Sequence, residues 1–108
     1  MNTEKYVLND AGEAVSEPDL MKWGAWMGKA ERHVAYNATP GGARVSTVFL
    51  GLDHSWDAGP PILWETMIFG GKEDGYQERF SSREDAVAGH AKALQLALKA
   101  EAPEPSNA

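Results

Sequence analysis

The sequence predicts an α+β domain: a four-stranded antiparallel sheet, wound as a meander, with one amphipathic helix before it and one after it. Three observations carry that prediction. Arg44–Leu52 (RVSTVFLGL) and Ile62–Phe69 (ILWETMIF) are dense in β-branched and aromatic residues, as strands are. Short loops separate consecutive strand-like runs, which favours antiparallel neighbours. Apolar residues at helical spacing fill Pro18–Glu31 and the run from Ser81 to about Ala100.

The elements follow in order. Tyr6–Val15 (YVLNDAGEAV) places two β-prone pieces around the turn-forming Asn9-Asp10-Ala11-Gly12, as a small hairpin or an ordered arm would. Ser16-Glu17-Pro18-Asp19 reads as a helix start, with Pro18 in the first turn and acids complementing the dipole. Leu20, Trp23, Trp26, Met27 and Ala30 then form one stripe. Gly24 and Gly28 lie four apart beside it, each costing about 1 kcal/mol of helix propensity against Ala. They imply either close packing of the helix on the sheet, or a groove or helix–helix contact in a homo-oligomer. His33–Ala38 (HVAYNA) is the first sheet strand, and Pro40-Gly41-Gly42 the turn into Arg44–Leu52. A loop, Asp53–Pro61, leads to Ile62–Phe69, and Gly70–Gly75 leads to Tyr76–Phe80 (YQERF), which alternates as a strand with one wet face.

Ser81 followed by Glu84 resembles a capping box for the last helix. The stripe of that helix reads Val87, His90, Ala91, Leu94 and Leu98. Residues 1–101 make one domain, and 102–108 (APEPSNA) a disordered tail. In the two central strands both faces are apolar. Val45, Thr47 and Phe49 alternate with Val48, Leu50 and Leu52, and Ile62, Trp64 and Ile68 with Leu63, Met67 and Phe69. Strands of this kind are covered on both sides. Either one helix packs on each face, or both pack on one face and a partner covers the other.

Composition narrows the classes of function. The 108 residues amount to one domain, and the net charge of −6 argues against general nucleic-acid binding. The absence of cysteine removes disulfides, thiolate metal sites and Cys nucleophiles, and fits a reducing compartment. No basic region precedes an apolar run at the N-terminus, and no apolar stretch approaches membrane-spanning length, so a cytoplasmic location without membrane association is expected.

Five residues stand out as candidates for binding. Glu65 shares a strand face with Leu63, Met67 and Phe69; burial there raises a carboxyl pKa unless a cation or donors compensate. The plain reading is a Glu paired with Arg, His or backbone amides. His90 lies on the inward stripe of the last helix, with Gly89 allowing close backbone approach. If that helix packs on the Glu65 face, His90 and Glu65 pair. Asp53 and His54 end the central strand and open a loop, where sites gather on rigid supports. The plain reading there is a strand terminus with a turn-forming Asp. Trp56 stands in the same loop, away from any periodic face, as a binding anchor or a lid on the core. No metal-ligand spacing such as HExxH or HxH occurs, and Gly70-Gly71-Lys72 lacks phosphate-loop spacing. No cofactor, metal or catalytic set is therefore assigned.

The segments RVSTVFLGLDH (Arg44–His54), GPPILWETMIFGG (Gly59–Gly71) and FSSREDAVAGH (Phe80–His90) resemble a family of small proteins of unassigned activity encoded by tailed bacteriophages and prophages. The resemblance spans roughly Leu20 to Leu94. Such relatives often carry Phe where this chain has Trp64, and Arg where it has His33, which makes His33 a weaker site candidate than His54 or His90. The resemblance implies an accessory protein in the host bacterial cytoplasm and supplies no activity. The leading expectation is a non-catalytic anti-defence or host-takeover inhibitor that binds a host protein or a small signalling nucleotide. The alternative is a small hydrolase, with or without a metal, using Asp53, His54, Glu65 and His90.

Overall fold

In the computed structural model, which describes residues 4–56 and 58–103, the chain runs β1 (Tyr6–Leu8), β2 (Ala14–Ser16), α1 (Leu20–Lys29), β3 (His33–Ala38), β4 (Arg44–Phe49), β5 (Trp64–Phe69), β6 (Gln77–Phe80) and α2 (Arg83–Glu101). Strands β3-β4-β5-β6 form one antiparallel sheet in sequence order, and β1-β2 a separate two-stranded one. The expected α+β meander with a helix on either side in sequence is thus the observed architecture. Residues 1–3 and 104–108 lie outside the described residues, and with them most of the expected disordered tail.

Local chemistry sets the boundaries. The central strands are shorter than the apolar runs. The first leaves the ladder near Gly51, whose φ of +79° suits a residue without Cβ. A Cβ there would lie 2.6 Å from the Met27 sulfur, and the Trp23 indole donates to the Gly51 carbonyl at 3.0 Å. Helix α1 seats itself on that bend. Asp19 caps it, accepting from the amides of Met21 and Lys22. Pro18 therefore precedes the helix instead of occupying its first turn. Likewise Ser82, not Ser81, caps α2, accepting from the Asp85 amide at 3.0 Å. The N-terminal segment is a true hairpin. Asn9 Oδ1 accepts from the amides of Ala11 and Glu13, and Lys5 bridges to Leu52.

The pleat divides the sheet residues into two faces. Val45, Thr47 and Phe49 pair with Ile68, Thr66 and Trp64, and α2 lies across this face. Val45, Ile68, Ala43, Ala93 and Ala97 form one core cluster; Phe49, Leu63, Trp64 and Ala86 form a second, joined by Trp26 of α1 and by Tyr6, Leu8 and Ala14 of the hairpin. The Trp26 ring meets Phe49 edge-on at 5.8 Å.

Helix α2 turns inward a stripe rotated from the expected one: His90 is buried and Leu94 packs on the core as expected, but Val87, Ala91 and Leu98 are exposed. Its buried residues are Ala86, Gly89, His90, Ala93 and Ala97, whereas Val87 is 46% exposed and Leu98 36%. The reason is distance of approach. A Cβ on Gly89 would lie 2.1 Å from Phe80 Cζ, so a line of small residues faces the sheet and the larger ones flank it. Gly24 and Gly28 do the opposite of close packing. An added Cβ at either meets nothing within 4 Å, and α1 buries no residue fully.

Helix α2 thus contributes side chains to both clusters, and α1 and the N-terminal hairpin to the second, all on the same face of the sheet. Among the described residues the second face remains uncovered, which rules out the alternative of one helix on each face and leaves the alternative with both helices on one face. Among the described residues no helix is long and apolar enough to cross a membrane.

Candidate functional site

His90 and Glu65 do not pair. His90 projects from α2 onto the covered face, where its Nδ1 lies 2.7 Å from Thr47 Oγ1 and its Nε2 2.8 Å from Asn37 Oδ1. The Asn37 oxygen only accepts, so Nε2–H donates and Nδ1 accepts from the Thr47 hydroxyl. Thr47 Oγ1 is 2.6 Å from Thr66 Oγ1 and accepts from it in turn. Four side chains from α2, β3, β4 and β5 form one ordered chain, with His90 5% exposed and both threonines 0%. Burial lowers the His90 pKa and keeps the ring neutral. The arrangement is a polar clamp between helix and sheet.

Glu65 lies on the uncovered face, beside Val48 and Arg79 in register. Its Oε2 accepts from Arg79 Nε at 2.9 Å and from the Gln77 side-chain amide. The sheet itself separates Glu65 from His90, because the register that puts Thr47 opposite Thr66 sends their neighbours the other way. Asp53, His54, Glu65 and His90 therefore do not converge. No group of three or more His, Asp or Glu side chains with metal-holding geometry occurs among the described residues.

Asp53 organises the loop after β4. It is 2% exposed, and its Oδ1 accepts from the Ser55 amide at 2.8 Å and the Ile62 amide at 2.9 Å. Burial pushes its pKa up, but these amides and the Ser55 hydroxyl outweigh that and hold it below 3.8. The His54 amide donates to the Ile62 carbonyl at 3.0 Å, and its ring is partly exposed. Trp56 is 80% exposed at the loop surface and is no lid on the core.

The uncovered face holds residues that sequence reasoning passed over. Pairing arranges it in three rows across the sheet: Ala38, Arg44 and Phe69; Tyr36, Ser46, Met67 and Gln77; His33, Val48, Glu65 and Arg79. Tyr36 is 53% exposed and Phe69 39%. Between them lies a shallow groove of about 390 Å³ formed by His33, Tyr36, Arg44, Ser46 and Phe69. The Arg44 guanidinium stands 5.9 Å from the Phe69 ring centre, and the His33 and Tyr36 rings meet edge-on at 6.1 Å. His33 Nδ1 is 2.8 Å from Glu31 Oε1. The signal was present in the alternation of HVAYNA and RVSTVF, but only the register shows that Tyr36, Arg44 and Phe69 share one side.

No protein-family model, curated protein or solved structure matches the chain. Chemically, the site is an open platform with two aromatic rings, a cation and hydroxyls at its surface. The buried polar groups are spent on holding the fold, and the exposed ones lie on the opposite side of the sheet from α2.

Proposed function

We propose that the chain is a bacteriophage accessory protein that works by holding a host component on its uncovered sheet face, without turning it over. The observation that carries this reading is the one-sided packing of the sheet. Met67, Val48, Tyr36 and Phe69 form an aromatic and aliphatic surface that nothing else in the described chain covers. Exposed apolar surface rimmed by polar groups is characteristic of binding sites. The phage setting, the host bacterial cytoplasm and a role as an anti-defence or host-takeover inhibitor rest on the resemblance of Arg44–His54, Gly59–Gly71 and Phe80–His90.

In this reading Asp53, Glu65 and His90 hold the fold, and the binding surface lies on the sheet and not on the loop. Trp56 and His54 stay available at the loop as flanking contacts. Self-association has its own candidate surface on α1, where Leu20 and Met21 are 65% and 81% exposed beside the bare Gly24 and Gly28.

The test uses the full chain to capture a host component, identifies that component, and compares wild type with Arg44→Glu and Tyr36→Ala. Both variants should lose at least about tenfold in affinity, a change of roughly 1.4 kcal/mol. Their melting temperatures should stay unchanged, and the bound component should be recovered chemically intact. Undiminished binding by both variants, or conversion of the component, defeats the reading.

A further inference from the structure

We propose that the groove between Tyr36 and Phe69 is a nucleotide site, with the base stacked on the Tyr36 ring over Ser46 and a phosphate on Arg44. The inference rests on the binding reading above and names the ligand class.

The charge pattern is the first support. The chain carries −6 overall, yet the acids bordering this face are already engaged. Glu65 is held by Arg79 and Gln77, and Glu31 by the His33 amide and ring. The Arg44 side chain makes no ion pair or hydrogen bond among the described residues, and its guanidinium stands 5.9 Å from the Phe69 ring centre. A guanidinium left unpaired on a face whose carboxylates already accept from other donors suits a single anionic group.

The second support is the placing of the rings. Tyr36 pairs with Ser46, and Phe69 pairs with Arg44. The two rings therefore stand on opposite flanks of β4, two strand spacings across the sheet and two residues along it, a diagonal of roughly 12 Å. A heterocycle lies against the Tyr36 ring above the small Ser46 side chain. The Ser46 and Tyr36 hydroxyls make no side-chain hydrogen bond among the described residues, so both are available to base edges or ribose. A volume of about 390 Å³ falls in the usual range for small-ligand sites, roughly 300–1,000 Å³.

The surroundings disfavour larger occupants. Beyond Ser46 and Met67 the next row carries the Glu65–Arg79 ion pair, which offers an extended peptide no apolar pocket. One cation in the groove, among the described residues, on a protein of net charge −6 does not hold a long polyanion, whose affinity comes from many phosphate contacts. A mononucleotide or a cyclic dinucleotide satisfies the arrangement, and Arg44 contacts only one phosphate in either.

The experiment is a titration of the isotopically labelled full chain, followed by amide NMR, with adenosine, AMP, GMP, a cyclic diguanylate and inorganic phosphate. At least one nucleotide should give saturable shifts confined to residues 33–38, 44–48 and 67–69. Arg44→Glu should weaken it at least about tenfold, and Tyr36→Ala by about five- to a hundredfold, the range for loss of a stacked base. The unphosphorylated nucleoside should bind more weakly than its nucleotide, and phosphate alone should not reproduce the shifts. Melting curves of both variants should overlay the wild type. Absence of any saturable nucleotide shift at millimolar concentration overturns the proposal. If the captured host component is then a protein seated on the same face, the binding reading survives and only the ligand class fails. Hydrolysis of the nucleotide during titration retains the groove and overturns the non-catalytic reading.

Discussion

Replacing His90 with Ala separates a structural histidine from a functional one. The substitution removes both hydrogen bonds of the ring. Asn37 is at an exposed position and turns to water, but Thr47 is 0% exposed and cannot. A buried hydroxyl losing a partner costs about 1–3 kcal/mol, reduced here because Thr66 still bonds it. The emptied imidazole volume beneath α2 adds a cavity cost on the order of 1–2 kcal/mol. The sum is about 2–4 kcal/mol. In a domain of this size each kcal/mol moves the melting temperature by about 4–8 °C, so His90→Ala should melt roughly 10–25 °C lower. The pH dependence adds a second readout. The folded pKa of His90 lies below its unfolded value near 6.5, so the unfolded chain takes up the proton first. The stabilisation is complete above about pH 6.5 and is lost as pH falls from there through the lowered folded value. Calorimetry of wild type and variant between pH 4 and 8 should show this component in the wild type and not in His90→Ala. An unchanged melting temperature together with lost ligand binding would refute the clamp and return His90 to the functional site.

Three further substitutions test the packing. Gly89→Ala gains helix propensity of about 1 kcal/mol but drives a methyl into Phe80. Chemical denaturation should show a net loss of about 1–2 kcal/mol, partly restored by adding Phe80→Leu; a net gain would show that Phe80 yields freely. Asp53→Ala strips the acceptor from two loop amides and should cost about 1.5–3 kcal/mol. The Asp53 contribution is present above about pH 3.8 and disappears as pH falls through its lowered folded pKa. Acid titration of the folded fraction should therefore show less acid loss in the variant, and equal acid loss would count against the assignment. Trp64→Phe removes an indole N–H that is buried without an acceptor among the described residues. Its unfolding free energy should stay within about 1 kcal/mol of wild type despite the smaller ring, whereas a loss above about 3 kcal/mol in chemical denaturation would mean the indole is satisfied in solution.

The β-branched density of RVSTVF and ILWETMIF made the central pair of strands legible, and helical spacing did the same for both helices. Candidate site residues were less legible because their roles depend on which face meets α2. Glu65 and His90 both sit on apolar patterns, yet the pleat sends one to each side of the sheet. The stripe of α2 was misassigned because counting large apolar residues favours Val87 and Leu98, while close approach through Gly89 selects Ala86, Ala93 and Ala97. Gly24 and Gly28 show the converse: a glycine spacing that suggests close contact faces open space. Glu101 was silent in the sequence. It reaches across the β3–β4 turn to the Thr39 hydroxyl and the Gly41 amide, a contact 60 residues away that no local pattern encodes.

Whether the uncovered sheet face is the binding surface is decided by hydrogen–deuterium exchange of the free protein against its complex. Binding should protect residues 33–38, 44–48 and 65–69 and leave α2 unchanged. Protection concentrated on α2 or on the loop from Asp53 to Ile62, with the β3–β5 segments unaffected, would put the partner elsewhere and refute binding on the sheet face.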